Sequence, residues 1–116
     1  MRASRTGSVK VDLGDPASLD GLFDRGSITL TAGTFPAPLP GASLGALNTG
    51  LEGFVHNAAA ELPRNLRINV VSPGWIKETL DRLGMDPADG VSVAEVARAY
   101  VAAVEGTAHR RTVRLA

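Results

Sequence analysis

Cysteine is absent from the 116-residue chain, which removes disulfides, thiolate nucleophiles and thiolate-held metals from consideration. A cysteine-free chain also fits a reducing compartment. An excess of charge of either sign is missing too. Twelve basic and twelve acidic side chains cancel, with a pI near 6.7, so there is no general attraction to nucleic acid or to anionic membranes. No stretch approaches the roughly 18 consecutive apolar residues of a membrane span. The basic opening Met1-Arg2-Ala3-Ser4-Arg5 runs into polar, glycine-containing sequence instead of an apolar signal core. The expectation is a soluble, cytoplasmic chain. No repeat, low-complexity tract or linker divides it, and the apolar fraction of 44% is that of an ordinary globular protein. Residues 1–116 are therefore read as one domain.

What is present alternates between two periodicities. Val9-Lys10-Val11-Asp12-Leu13 has the apolar–polar alternation of a short strand. Asp15-Pro16 sets a helix start, with Asp15 as cap and Pro16 in the first position. Ser27-Ile28-Thr29-Leu30-Thr31 is a β-branched run and reads as a second strand. Three Gly/Pro clusters make residues 32–41 loop. From Ser43 to Leu62 apolar residues recur at helical spacing (Leu44, Leu47, Leu51, Phe54, Val55, Ala58, Leu62), and Pro63 stops the helix.

Arg67-Ile68-Asn69-Val70-Val71 reads as a third strand, closed by Ser72-Pro73-Gly74. A short helix over 77–83 and a loop over 84–90 follow, with Asp86 and Asp89 as turn residues around Pro87. Ser92-Val93-Ala94-Glu95 is a capping box opening a helix whose inward face is predicted as Val93, Val96, Ala97, Tyr100, Val101 and Val104. Gly106 ends it, and Thr112-Val113-Arg114-Leu115 completes about four strands. Strands alternating with helices predict an α/β, Rossmann-like domain with a mainly parallel sheet.

Four blocks resemble the short-chain dehydrogenase/reductase family. Val11-Asp12-Leu13-Gly14-Asp15 is similar to the end of its third strand, and Gly26-Ser27-Ile28-Thr29-Leu30-Thr31-Ala32-Gly33 to its fifth. Gly50-Leu51-Glu52-Gly53-Phe54 with Ala58-Ala59-Ala60-Glu61-Leu62 is similar to the long helix after the catalytic tyrosine. Arg67-Ile68-Asn69-Val70-Val71-Ser72-Pro73-Gly74-Trp75 is similar to the sixth strand and the turn beside the nicotinamide, and this block is the most specific.

The resemblance implies an oxidoreductase lineage using NADP or NAD on an alcohol or carbonyl. It implies cofactor contacts at Arg5 (2′-phosphate), at Asp12 and Leu13 (adenine), and at Ala32, Gly33, Pro73, Gly74 and Trp75 (nicotinamide side). Each has a plainer reading: Arg5 as a solvated arginine, Asp12 as a turn residue, Pro73-Gly74 as a strand terminator. Thr79 is a carboxamide candidate displaced by one position, where Glu78 stands.

The departures bear on chemistry. No Gly-x-Gly-x-x-Gly turn occurs, and the family's middle strand and helix have no counterpart between Phe23 and Gly26. The chain is thus expected to be a truncated relative. The tyrosine position falls on Leu44, the lysine position on Asn48 and the serine position on Ala32 or Gly33. Leucine has no proton to give and asparagine no charge to activate a phenol, so no catalytic residue is assigned. His56 and His109 read as surface histidines and not as metal ligands. The expected partner is a second copy, paired through the helix 43–62, whose Gly45, Ala46, Gly50 and Gly53 permit close approach. The alternative to a cofactor-binding relative is a catalytically silent dimerisation module or a remnant.

Overall fold

The computed structural model describes residues 12, 14–20, 26–34, 42–63 and 65–116. Arg5 and Leu13 lie outside these, as does the expected strand 9–13 apart from Asp12, which is in no strand. The elements are β1 (Ser27–Thr31), α1 (Ala42–Ala58), β2 (Arg67–Pro73), α2 (Lys77–Arg82), α3 (Val93–Glu105) and β3 (Arg111–Leu115). Short 3-10 turns at Pro16–Leu19 and Pro87–Asp89 are capped by Asp15 and Asp86, whose Oδ1 atoms accept from the amides of Ala17 and Ala88.

The described residues form a three-stranded sheet in the order β1-β2-β3, where the sequence predicts about four strands. Both pairings are parallel, with Leu30 beside Val70 and Val71 beside Val113. Parallel strands need crossovers, and α1 and α3 supply them. Because side chains alternate along a strand, each face takes its own helix. Ile28, Leu30, Ala32, Ile68 and Val70 meet Val55, Ala59, Leu51 and Leu62 from α1 and the turn after it. Thr31, Arg67 and Asn69 face the opposite way, toward α3 and the chain beyond it. Central β2 is covered on both sides, and Ile68 to Ser72 are all buried. A fully buried Val55 or Val70 contributes roughly 1.5–3 kcal/mol of transfer free energy.

Two helix expectations need correction. The first helix ends at Ala58 and not at Leu62. The residue before Pro63 is pushed out of helical geometry, and the last turn tightens, with the amides of Ala60 and Glu61 reaching only three residues back. Asn57 also turns its side-chain amide back onto the Gly53 carbonyl (2.7 Å).

The predicted inward face of the last helix is rotated. Ala103 is buried and Val96, Ala99 and Tyr100 are half-buried, while Val93, Ala97, Val101 and Val104 are exposed. Apolar residues on this helix occur on more than one side, so periodicity alone could not choose between them. Of the capping box, the Ser92 hydroxyl accepts from the Glu95 amide (3.1 Å), while the Val93 amide goes to the Glu78 carboxylate (3.1 Å). Helix α2 closes in a Schellman turn at Gly84, whose φ of 73° suits glycine, with the Met85 amide on the Leu80 carbonyl (2.8 Å).

Candidate functional site

In open parallel sheets, ligands bind beyond the carboxyl ends of the strands. Here those ends converge. The Ala32 amide donates to the Val71 carbonyl (3.0 Å), the Thr34 amide to the Pro73 carbonyl (2.9 Å) and the Gly74 amide to the Leu115 carbonyl (2.5 Å). Ala32, Gly33, Pro73 and Gly74, four of the sequence-predicted contacts, thus belong to one edge. A Cβ built on Gly74 would lie 2.9 Å from the Thr34 carbonyl oxygen and 3.2 Å from that of Leu115, so only glycine allows the three chain segments to meet.

Trp75 follows, half-buried, its carbonyl accepting from the Val91 amide (2.8 Å); the Lys77 amide returns a bond to the Val91 carbonyl (2.8 Å). Gly90 packs tightly there, since a Cβ would come within 2.8 Å of the Trp75 carbonyl oxygen. The tryptophan is therefore mounted between β2 and a short parallel bridge, Ile76 with Val91.

Asp12 is placed differently. Its Oδ1 accepts from the Gly14 amide (2.9 Å), and its main chain bonds Ser18 and Asp15. This is the Asx-type turn of the plainer reading.

One polar group at the carboxyl edge escapes sequence reasoning. The Thr34 hydroxyl is buried and has no hydrogen-bond partner among the described residues. It lies just past the Ala32-Gly33 position, and its only sequence signal is that it follows a strand end. Such an orphaned hydroxyl can serve a ligand as both donor and acceptor.

The positions matched to the catalytic tyrosine and lysine are described residues of α1. Leu44 is exposed and Asn48 half-buried one helical turn away, and neither titrates. Tyr100, on α3, pairs its hydroxyl with that of Thr31. Glu52 is committed to structure: Oε1 accepts from the buried Ser72 hydroxyl (2.7 Å) and Oε2 pairs with Arg114 (2.7 Å), tying α1 to β2 and β3. The sequence also carries a Gly-x-Ser-x-Gly spacing at Gly41-Ala42-Ser43-Leu44-Gly45. A nucleophile elbow sets its serine on a sharp turn directly between strand and helix. Here β1 has ended at Thr31 and Ser43 already lies within α1. Thr79 is exposed on α2, and among the described residues no three His, Asp or Glu side chains gather as a metal site.

His109, read from the sequence as a surface histidine, is exposed, and its ring also bridges two elements: Nδ1 accepts from the Ile68 amide (3.1 Å) and Nε2 meets the Ala59 carbonyl (3.2 Å).

No protein-family model matches the chain, and no curated protein matches it. Solved structures do. The protein lin1944 from Listeria innocua is 36% identical over 80% of this chain and 48% of its own, with a TM-score of 0.70. A short chain dehydrogenase from Salmonella enterica subsp. enterica serovar Typhi str. CT18 is 20% identical over 84% of this chain and 45% of its own, with a TM-score of 0.63. The chain thus has a short-chain-dehydrogenase-like, Rossmann-type α/β fold, and it spans about half the length of these neighbours.

Proposed function

We propose that the chain is a cofactor-binding piece of NAD(P)-dependent oxidoreductase lineage, of the kind that acts on alcohols and carbonyls, and that it does not transfer hydride on its own. The observation that carries this reading is the carboxyl edge itself: a glycine with no room for a Cβ, beside a buried hydroxyl with no described partner. The residues there fit the nicotinamide end of a dinucleotide. Pro73, Gly74 and Trp75 would offer their backbone to the ring, Gly33 adds no side chain to obstruct it beside Ala32, which turns into the core under α1, and the Thr34 hydroxyl would be a polar partner for a carboxamide. The pyrophosphate end lacks its usual glycine-rich turn in this sequence. A nicotinamide bound at this edge would carry the hydride. The chain would hold and orient the ring, and Leu44 and Asn48 would leave the proton-transfer half of the reaction unsupplied.

Titration with NADPH and NADH, read by Trp75 fluorescence, tests this. Saturable quenching is expected, weaker by about tenfold in Thr34→Val, with that variant at least as stable as the parent because a buried unpaired hydroxyl is removed. A preference for NADPH that disappears in Arg5→Ala would support the phosphate contact. No saturable change in a folded sample overturns the reading.

A second reading, a pairing module built on α1, is favoured by one specific feature. Leu44, Leu47 and Phe54 are 47%, 59% and 58% exposed along that helix, an apolar stripe that a second copy would cover.

A further inference from the structure

We infer that His109 and His56, the chain's two histidines, form an acid-sensitive latch between the end of α1 and the entry to β3. His109 bridges two elements through opposite ring nitrogens. The Ile68 amide donates to Nδ1 (3.1 Å), which fixes the proton on Nε2, facing the Ala59 carbonyl (3.2 Å). Only the neutral ring does both. The ring stands in for a main-chain acceptor: the Ala108 carbonyl, next to it in the chain, is occupied by Arg67 Nη1 (2.8 Å) and Asn69 Nδ2 (2.9 Å). His56 is arranged the same way, its Nε2 facing the Arg110 guanidinium at 3.2 Å. A bare nitrogen can accept there; a protonated one sets a cation against a cation.

The residue between these contacts is under strain. Arg110 has φ of 62°, in the left-handed region that a side chain with a Cβ resists. Its amide donates to the Ile68 carbonyl (2.8 Å), so the β2–β3 pairing starts at a residue held in an unfavourable conformation by its neighbours.

Charged groups stand on every element around the two rings. Arg67 of β2 lines the same depression as His109, of about 250 Å³, and is spent on the carbonyls of Ala103, Val104 and Ala108. Arg110 precedes β3 and Arg111 opens it, Glu61 lies two residues past Ala59, and Glu105 closes α3. Neither imidazole is hydrogen-bonded to a carboxylate among the described residues. A proton on either ring removes the acceptor its neighbour uses, the Ile68 amide at His109 and the Arg110 guanidinium at His56, and frees the 109–110 segment, while the carboxyl edge at the other end of the strands keeps its own bonds.

Nitrogen-15 NMR on the full chain tests the latch. At about pH 7.5 the His109 ring should carry its proton on Nε2 and none on Nδ1; the opposite tautomer overturns the inference. Between about pH 7.5 and about pH 5, the exchange protection factors of the Ile68 and Arg110 amides should fall by about tenfold or more, with the Ala32 amide of the β1–β2 ladder changing less than about twofold. In His109→Asn, whose amide oxygen can accept from Ile68 without titrating, the fall at Ile68 should flatten. Unchanged protection in the native chain, or a fall that persists at Ile68 in His109→Asn, overturns it. Should that variant not fold, the tautomer and the native pH series still decide.

Discussion

Gly74 shows how much a single missing methyl group can determine. The residue before it ends β2, its amide closes onto Leu115, and the Thr34 carbonyl oxygen occupies the space a Cβ would need. The obstructing atoms are backbone, and backbone in a sheet cannot rotate aside as a side-chain tip would. Gly74→Ala is therefore expected to cost about 1–3 kcal/mol, read as a lowered urea midpoint with Trp75 as the probe. An unchanged midpoint would mean that the three strand ends leave room for a methyl group. The sequence marks Pro73-Gly74 as a strand terminator, but turn chemistry is common to many proteins. What no sequence rule supplies is that β1 and β3 both press on this glycine, because their approach depends on residues far away in the chain. Asn69 makes the same point. Within Arg-x-Asn it is one of the residues that carry the sequence resemblance; in the fold it is a fully buried amide whose Oδ1 accepts from the Arg111 amide (3.0 Å) and whose Nδ2 donates to the Ala108 carbonyl. That pairing satisfies a buried polar group that would otherwise be costly.

At the scale of elements, local signals worked where they were strong and unopposed. The bounds of β1 follow from its β-branched run, and α2 and α3 follow from their stops at Gly84 and Gly106. The sequence was less informative wherever a segment is apolar on two sides. α1 buries Val55 and half-buries Leu51 while exposing Leu47 and Phe54, and α3 turns Val101 and Val104 outward. A periodicity count registers both stripes and cannot say which meets the sheet. Helix α1 also carries interior glycines. At Gly45, Gly50 and Gly53 an added Cβ meets nothing within 4 Å. In a helix each glycine costs about 1 kcal/mol relative to alanine, a penalty without return unless another surface comes close. Gly50→Ala is accordingly expected to raise the stability of the dilute chain by about 0.5–1 kcal/mol in urea unfolding. It should also weaken any self-association through this face, seen as a smaller stability gain at high protein concentration than at low. A gain that is the same at every concentration would mean that no partner helix approaches Gly50.

The whole molecule combines a sheet whose central strand is covered on both faces with helices whose outer sides are apolar. Leu44, Leu47 and Phe54 on α1, and Val93, Val101 and Val104 on α3, are each about half exposed or more. Scattered apolar residues on a surface need no explanation, but a stripe along each of the two helices that clothe the sheet leaves a separate apolar surface on either side of it. Gly50 lies beside the stripe on α1, three residues after Leu47 and four before Phe54, so apolar cover and close approach are available on one helix face. If two copies pair there, a charge placed in the stripe is buried without a partner in the dimer and simply solvated in the monomer. The double substitution Leu47→Glu, Phe54→Glu is therefore expected to convert a sedimenting dimer into a monomer of unchanged helix content by circular dichroism. The same double change on α3, Val101→Glu with Val104→Glu, should leave the mass in solution as it was. A parent chain that is monomeric across the accessible concentration range would remove the pairing reading, and a dissociation produced equally by the α3 pair would move the contact to the other face of the sheet.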